Sequence, residues 1–112
     1  MKDDRLYLVH IAECIERIEE YTAAGEADFF VDKKTQDAVL RNLHTLSEST
    51  QRLSSELKEK HPAVDWKAIS GFRNVVVHNY LGVSLTRVWE IVTRYVPPLK
   101  TEVQLMLGEL GE

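Results

Sequence analysis

The chain has 112 residues, 44% of them hydrophobic, with a formal net charge of −4 and four histidines; this is enough for one compact domain over residues 1–112 and too little for two of ordinary size. A net negative balance excludes a module that coats nucleic acid through bulk positive charge, so any RNA contact has to be local. The single Cys14 cannot form an internal disulfide, Met1 to Arg5 is charged rather than followed by an apolar leader, and no apolar run approaches a membrane span, which together point to a cytoplasmic protein.

From Asp3 onward, Leu8, Ile11, Ile15 and Ile18, flanked by Tyr7, Cys14 and Tyr21, trace the apolar stripe of an amphipathic helix, with Glu13, Glu16, Arg17 and Glu20 on its wetter side. Residues 23–34 contain Gly25 and scattered charges around Phe29 and Phe30, the pattern of a loop or short turn pinned by its aromatics. Thr35 offers an N-cap for a second helix, in which Val39, Leu43, Leu46, Thr50, Leu53 and Leu57 recur at steps of four and three. Lys58 and Lys60 suit its negative end, and Pro62 turns His61 away from helical geometry.

Asp65 can cap a third helix, with Ile69, Phe72, Val76 and Tyr80 at helical spacing and Gly82 as a left-handed stop; the β-branched run Val75 to Val77 suggests a strand only weakly. Ser84 caps a fourth helix through Leu85, Val88, Trp89, Val92 and Val96, which Pro97 and Pro98 close, and Leu99, Val103, Met106 and Leu110 then form a last helix begun by proline. The expected fold is all-α, an antiparallel four- to five-helix bundle with the third helix near its centre.

That third helix carries three polar residues whose chemistry is complementary. His78 can exchange protons near neutral pH, Arg73 can hold a phosphate through a planar fork, and Tyr80 offers a hydroxyl, a set suited to phosphodiester cleavage. At about 100° per residue, Tyr80 returns to within about 20° of Arg73, whereas His78 stands about 140° away. Arginine and histidine meet one phosphate only if the helix loosens before Gly82 or a second subunit supplies the missing group. Gly71 fits the second option, because a glycine inside a helix costs about 1 kcal/mol relative to alanine and commonly marks the close approach of another backbone.

Arg73-Asn74-x-x-x-His78-x-Tyr80 resembles the R-x4-H-x-Y signature of HEPN ribonucleases in its Arg-Asn form. The similarity extends along the chain through Asp3-Asp4-Arg5-Leu6, Lys34 to Val39, Arg41-Asn42-Leu43 and Val88 to Val92, and these segments are similar to the HepT-like toxin branch. The resemblance implies a homodimeric helical bundle in which the motifs of both subunits face one RNA-binding cleft. It implies that His78 acts as general base or acid while the ribose 2′-hydroxyl attacks phosphorus, that Arg73 stabilises the growing charge, and that Asn74 orients the site. No metal or other cofactor is implied. A nucleotidyltransferase antitoxin is the implied partner, with Tyr80 as its AMPylation site.

Other polar residues invite simpler readings. His10 and Cys14 share a helical face, but nothing obvious completes a metal site around them. His44 and His61 read as structural or exposed, Trp66 and Trp89 as packing residues, and Asp3-Asp4 and Glu19-Glu20 as solubility and helix-end charges. Arg41 and Asn42 either support the cleft or dimer or belong to a solvated face. Two rival functions stand beside the ribonuclease: a non-catalytic helical module that binds a nucleotidyltransferase or nucleotide, and a purely structural bundle. Only the ribonuclease gives Arg73 and His78 a shared purpose.

Overall fold

Helix α1 (Lys2–Tyr21) forms on the expected stripe: Leu8, Ile11, Cys14, Ile15 and Ile18 are all buried. The computed structural model describes residues 2–72, 74 and 84–111, without the side chain of Lys2. Gly25, at φ 100°, makes the sharp turn after α1 in a conformation that a side chain would strain. The segment expected to be a loop then folds instead as α2 (Glu26–Val31). Its aromatics do pin it: Phe29 is buried, with ring centroids 5.3 Å from Phe30 and 5.1 Å from Trp89.

Helix α3 (Lys33–Gln51) begins two residues before the expected cap. Asp32 is the N-cap, accepting the Lys34 N–H at 3.0 Å, while the Thr35 hydroxyl donates to the same carboxylate at 2.9 Å. An aspartate three residues ahead of a threonine satisfies the orphan donors better than threonine alone. Val39, Leu43, Leu46 and Thr50 face the core as their spacing predicts.

The long helix expected to run on to Lys60 is broken. Gln51 ends α3, Ser54 adopts an extended conformation (ψ 150°), and a short α4 (Ser55–Glu59) follows. The cause lies far away in sequence: Asp4 of α1 is buried and accepts both the Ser54 N–H at 2.8 Å and the Ser54 hydroxyl at 2.7 Å. The Ser54 oxygen in turn accepts the Leu57 N–H at 3.2 Å. A backbone donor that would have served the helix is taken by a carboxylate, and the helix restarts one cap later. Leu53 and Leu57 stay buried, so the apolar spacing survives the break and conceals it. Asp4 is therefore an internal tie rather than the solvated charge expected of it.

Asp65 and Ser84 cap as expected, accepting the N–H groups of Ala68 at 3.0 Å and Arg87 at 3.4 Å, and open α5 (Trp66–Ser70) and α6 (Leu85–Glu90). The expected continuation of the third helix through Val76 and Tyr80 to Gly82, and the strand alternative at Val75 to Val77, lie outside the described residues. Pro97 and Pro98 do not separate two helices. Residues Ile91–Tyr95 form a π-helical turn, in which the Val96 N–H donates to the Ile91 carbonyl, and α7 (Val96–Glu109) continues from it with the prolines in its first turn. Proline there removes N–H groups and crowds the preceding carbonyls, and a wider turn accommodates both. Residues 85–109 make one continuous helical rod of about 37 Å, in a molecule measuring 42 × 25 × 20 Å.

The start of α1 meets the end of α3 through Asp4 and Ser54, so those helices are antiparallel. Lys100, near the start of α7, reaches Glu19, near the end of α1, at 3.0 Å, so α7 also runs against α1. The fold is the expected all-α antiparallel bundle. No helix among the described residues is long and apolar enough to cross a membrane.

Candidate active site and its surroundings

Of the expected site residues, Arg73, His78 and Tyr80 lie outside the described residues. Asn74 lies inside them: it is helical and exposed, and its N–H donates to the Gly71 carbonyl at 3.0 Å. The segment leading into the motif is firmly anchored. The Trp66 indole N–H donates to the carbonyls of Lys58 at 3.2 Å and His61 at 3.1 Å, and the Lys58 ammonium stands 5.9 Å from the ring centroid. Ile69 and Phe72 are buried, and Phe72 meets the Tyr95 ring edge to face at 5.9 Å. Aromatic rings fixed in this way hold the backbone as far as Phe72.

Gly71 is the C-cap of α5. A Cβ built there meets the Ala68 carbonyl oxygen of its own turn at 3.2 Å, and no other element approaches it among the described residues. Asn42 and Arg41 also separate: Asn42 is almost buried and its amide donates to the Ala38 carbonyl at 2.9 Å, whereas Arg41 is exposed.

His61 is the more structural of its two expected alternatives, and it is strongly held. It is 7% exposed, with Nδ1 3.0 Å from Glu102 and Nε2 2.9 Å from Glu109, both on α7. Burial works against its charge, but the carboxylates of Glu109 and Glu102 outweigh burial and hold its pKa above the ordinary value. With both ring nitrogens facing carboxylates, the imidazolium is the form that satisfies every partner. His10 is exposed while Cys14 is buried, and burial pushes the Cys14 thiol up. Among the described residues, no group of three or more His, Cys, Asp or Glu side chains is placed to share a metal ion.

Tyr95, in edge contact with Phe72, has two guanidinium groups near its ring, Arg87 at 5.8 Å and Arg94 at 5.9 Å from the ring centroid. Arg87 is bound to Glu90 and Arg94 reaches Glu90 at 3.5 Å; the hydrogen bond from Arg87, with Arg94 adding its charge, holds the Glu90 carboxyl below its usual range. A cleft of about 270 Å³ opens beside this group, lined by Val64, Asp65, Ile69, Arg94, Tyr95 and Pro98 among others. Sequence reasoning did not single out Arg94 or Tyr95. The Arg-Tyr pair just ahead of Pro97 gives a local signal, but only the Phe72 contact ties it to the motif.

The sequence profile of the family described as "Ribonuclease HepT-like" matches residues 11–106. A Thermococcus cleftensis protein named "Probable ribonuclease HepT" is 39% identical over 84% of this chain and 86% of its own length. One from Caldanaerobacter subterraneus subsp. tengcongensis, named "Putative RNase", is 36% identical over 96% of both. A Methanocaldococcus jannaschii protein named "Gamma-glutamylcyclotransferase and putative RNase" is 41% identical over 99% of this chain, which spans half of that relative's length. No solved structure matches the chain. With a matched span that encloses Arg73 to Tyr80 and a fold that is helical throughout the described residues, the chain belongs to the HEPN-type, HepT-like ribonuclease family.

Proposed function

We propose that this protein is a cytoplasmic, metal-independent endoribonuclease, the toxin of a toxin–antitoxin pair, with Arg73 and His78 as its catalytic residues in a homodimer cleft. The observation that carries this reading is the sequence Arg73-Asn74-x-x-x-His78-x-Tyr80 standing inside the family span of residues 11–106. His78 takes the proton of the ribose 2′-hydroxyl as its oxygen bonds to phosphorus, and the bond from phosphorus to the 5′-oxygen breaks as that oxygen takes a proton from solvent, giving a 2′,3′-cyclic phosphate. Arg73 holds the phosphoryl oxygens as their charge grows, and Asn74 orients the scissile group. The separation of about 140° between Arg73 and His78 on an ideal helix is the reason for placing the site between two subunits.

Tyr80, which ideal helical spacing would put on the face of Arg73, is the position that a nucleotidyltransferase antitoxin would modify with AMP. Added phosphates there would occupy the arginine and repel the RNA backbone. The test is cleavage of total RNA in excess EDTA by the purified protein beside His78→Ala, with dimer state and helicity measured for both. The parent is expected to cleave and the variant to lose about a hundredfold or more with its fold intact. Cleavage that EDTA abolishes, or that survives in His78→Ala, overturns the assignment.

A further inference from the structure

We propose that the cleft between the start of α5 and the π-helical turn is a nucleotide subsite, in which Tyr95 and Arg94 hold one unpaired nucleotide of the RNA beside the bond being cut. The inference rests on the ribonuclease reading and adds to it where the substrate is gripped.

The cleft is small and mixed in character. At about 270 Å³ it falls just below the roughly 300–1,000 Å³ of pockets for drug-sized ligands, so it admits a single nucleotide rather than a strand. Tyr95 forms its aromatic wall and Pro98 lies beside it. The ring is half-buried and packs on Phe72, the residue before Arg73 in sequence, and that contact is what ties the cleft to the start of the motif. An aromatic ring with a guanidinium is the combination that binds unpaired bases, because every base has a face to stack and every linkage a phosphate to pair. A base still stacked inside a duplex cannot enter such a cleft.

The two arginines near the ring divide the task. Arg87 is fastened by its bond to Glu90, whereas Arg94 is 70% exposed and only 3.5 Å from the same carboxylate. Such an exposed pair is weak, and Arg94 is the group able to turn to a phosphate and yield its place at the ring to a base. Asp65 also lines the cleft, one of its oxygens engaged by the Ala68 N–H. Its charge repels a phosphate, which puts the phosphate on the Arg94 side and the base toward Tyr95 and Pro98. With a net charge of −4, the chain has no broad positive field to hold RNA, and a local ring-and-cation grip answers that need.

The experiment is steady-state cleavage of a fluorescein-labelled single-stranded oligonucleotide containing all four bases, with Lys100→Ala, at an exposed ion pair elsewhere, as control. Arg94→Ala is expected to raise KM about tenfold with kcat changed less than twofold, and to make the salt dependence of binding shallower by about 0.7. Tyr95→Leu should raise KM similarly and Tyr95→Phe should restore it. Because Arg94 is exposed, its variant reads the site even if Tyr95→Leu fails to fold. An unchanged KM and salt slope in Arg94→Ala, with the parent active, overturns the subsite alone, as does equal cleavage of the same sequence in a duplex. A parent that neither cleaves nor binds the oligonucleotide overturns the ribonuclease reading and the subsite with it.

Discussion

At its N-terminal end α4 hangs from Asp4, a carboxylate that accepts two hydrogen bonds from Ser54, whereas just past its C-terminal end His61 is gripped by two carboxylates of α7. The two ties are alike in burial, Asp4 being 4% and His61 7% exposed, and both connect residues more than forty positions apart. They differ in what keeps them closed. The Asp4 tie sets one charge against neutral donors. The His61 tie needs a proton on the imidazole. A helix of one turn has almost no stability of its own, so α4 exists because it is held at both ends, and α5 with the motif beyond it starts from that fixed point.

Breaking the first tie should cost the most. Asp4→Ala leaves the Ser54 N–H and hydroxyl without their acceptor in a buried place, and a loss of about 3 kcal/mol is expected, read as a lower urea midpoint with unchanged slope. The second tie should respond to pH. Because the folded pKa of His61 lies above the unfolded value, its contribution is fully present below about pH 6.5 and fades as pH rises through the folded pKa. The stability gap between the parent and His61→Gln should therefore be widest in mild acid and close in alkali; a gap that widens with pH would reverse the assignment. At the opposite end of α1, the exposed Lys100–Glu19 pair should matter least, and Lys100→Ala is expected to shift stability by about 0.5 kcal/mol or less in thermal melts.

The same contrast explains which parts of the structure the chain discloses before it folds. The α1 stripe and the Asp65 and Ser84 caps depend on neighbours within four residues, and reading those neighbours was enough. The break at Ser54 was hidden because Asp4 lies fifty positions away and Leu53 and Leu57 keep helical spacing across it. Helix α2 was missed because one short turn with Phe29 and Phe30 shows no period, and its support comes from Trp89. Arg73, His78 and Tyr80 stand out by their spacing and chemistry, and Asn74 by its place in the motif that the family resemblance supplies. Arg94 and Tyr95 do not, since what gives them meaning is a ring contact with Phe72 across the bundle.

The π-helical turn at Ile91–Tyr95 acts as slack in the rod that contains it. A wide turn takes up one residue more than the α-helical path requires, so the segments on either side keep their phase. Removing one residue inside the turn would let the rod close into plain α-helix, with Glu102 and Glu109 still facing His61 and Val103 and Met106 still in the core. Removing one from the α-helical stretch between Val96 and Glu102 would instead turn everything after it by about 100° and swing those side chains away. The extra residue is thus an insertion the rod absorbs, leaving its aromatic end in register with the acidic end that holds the α4–α5 junction.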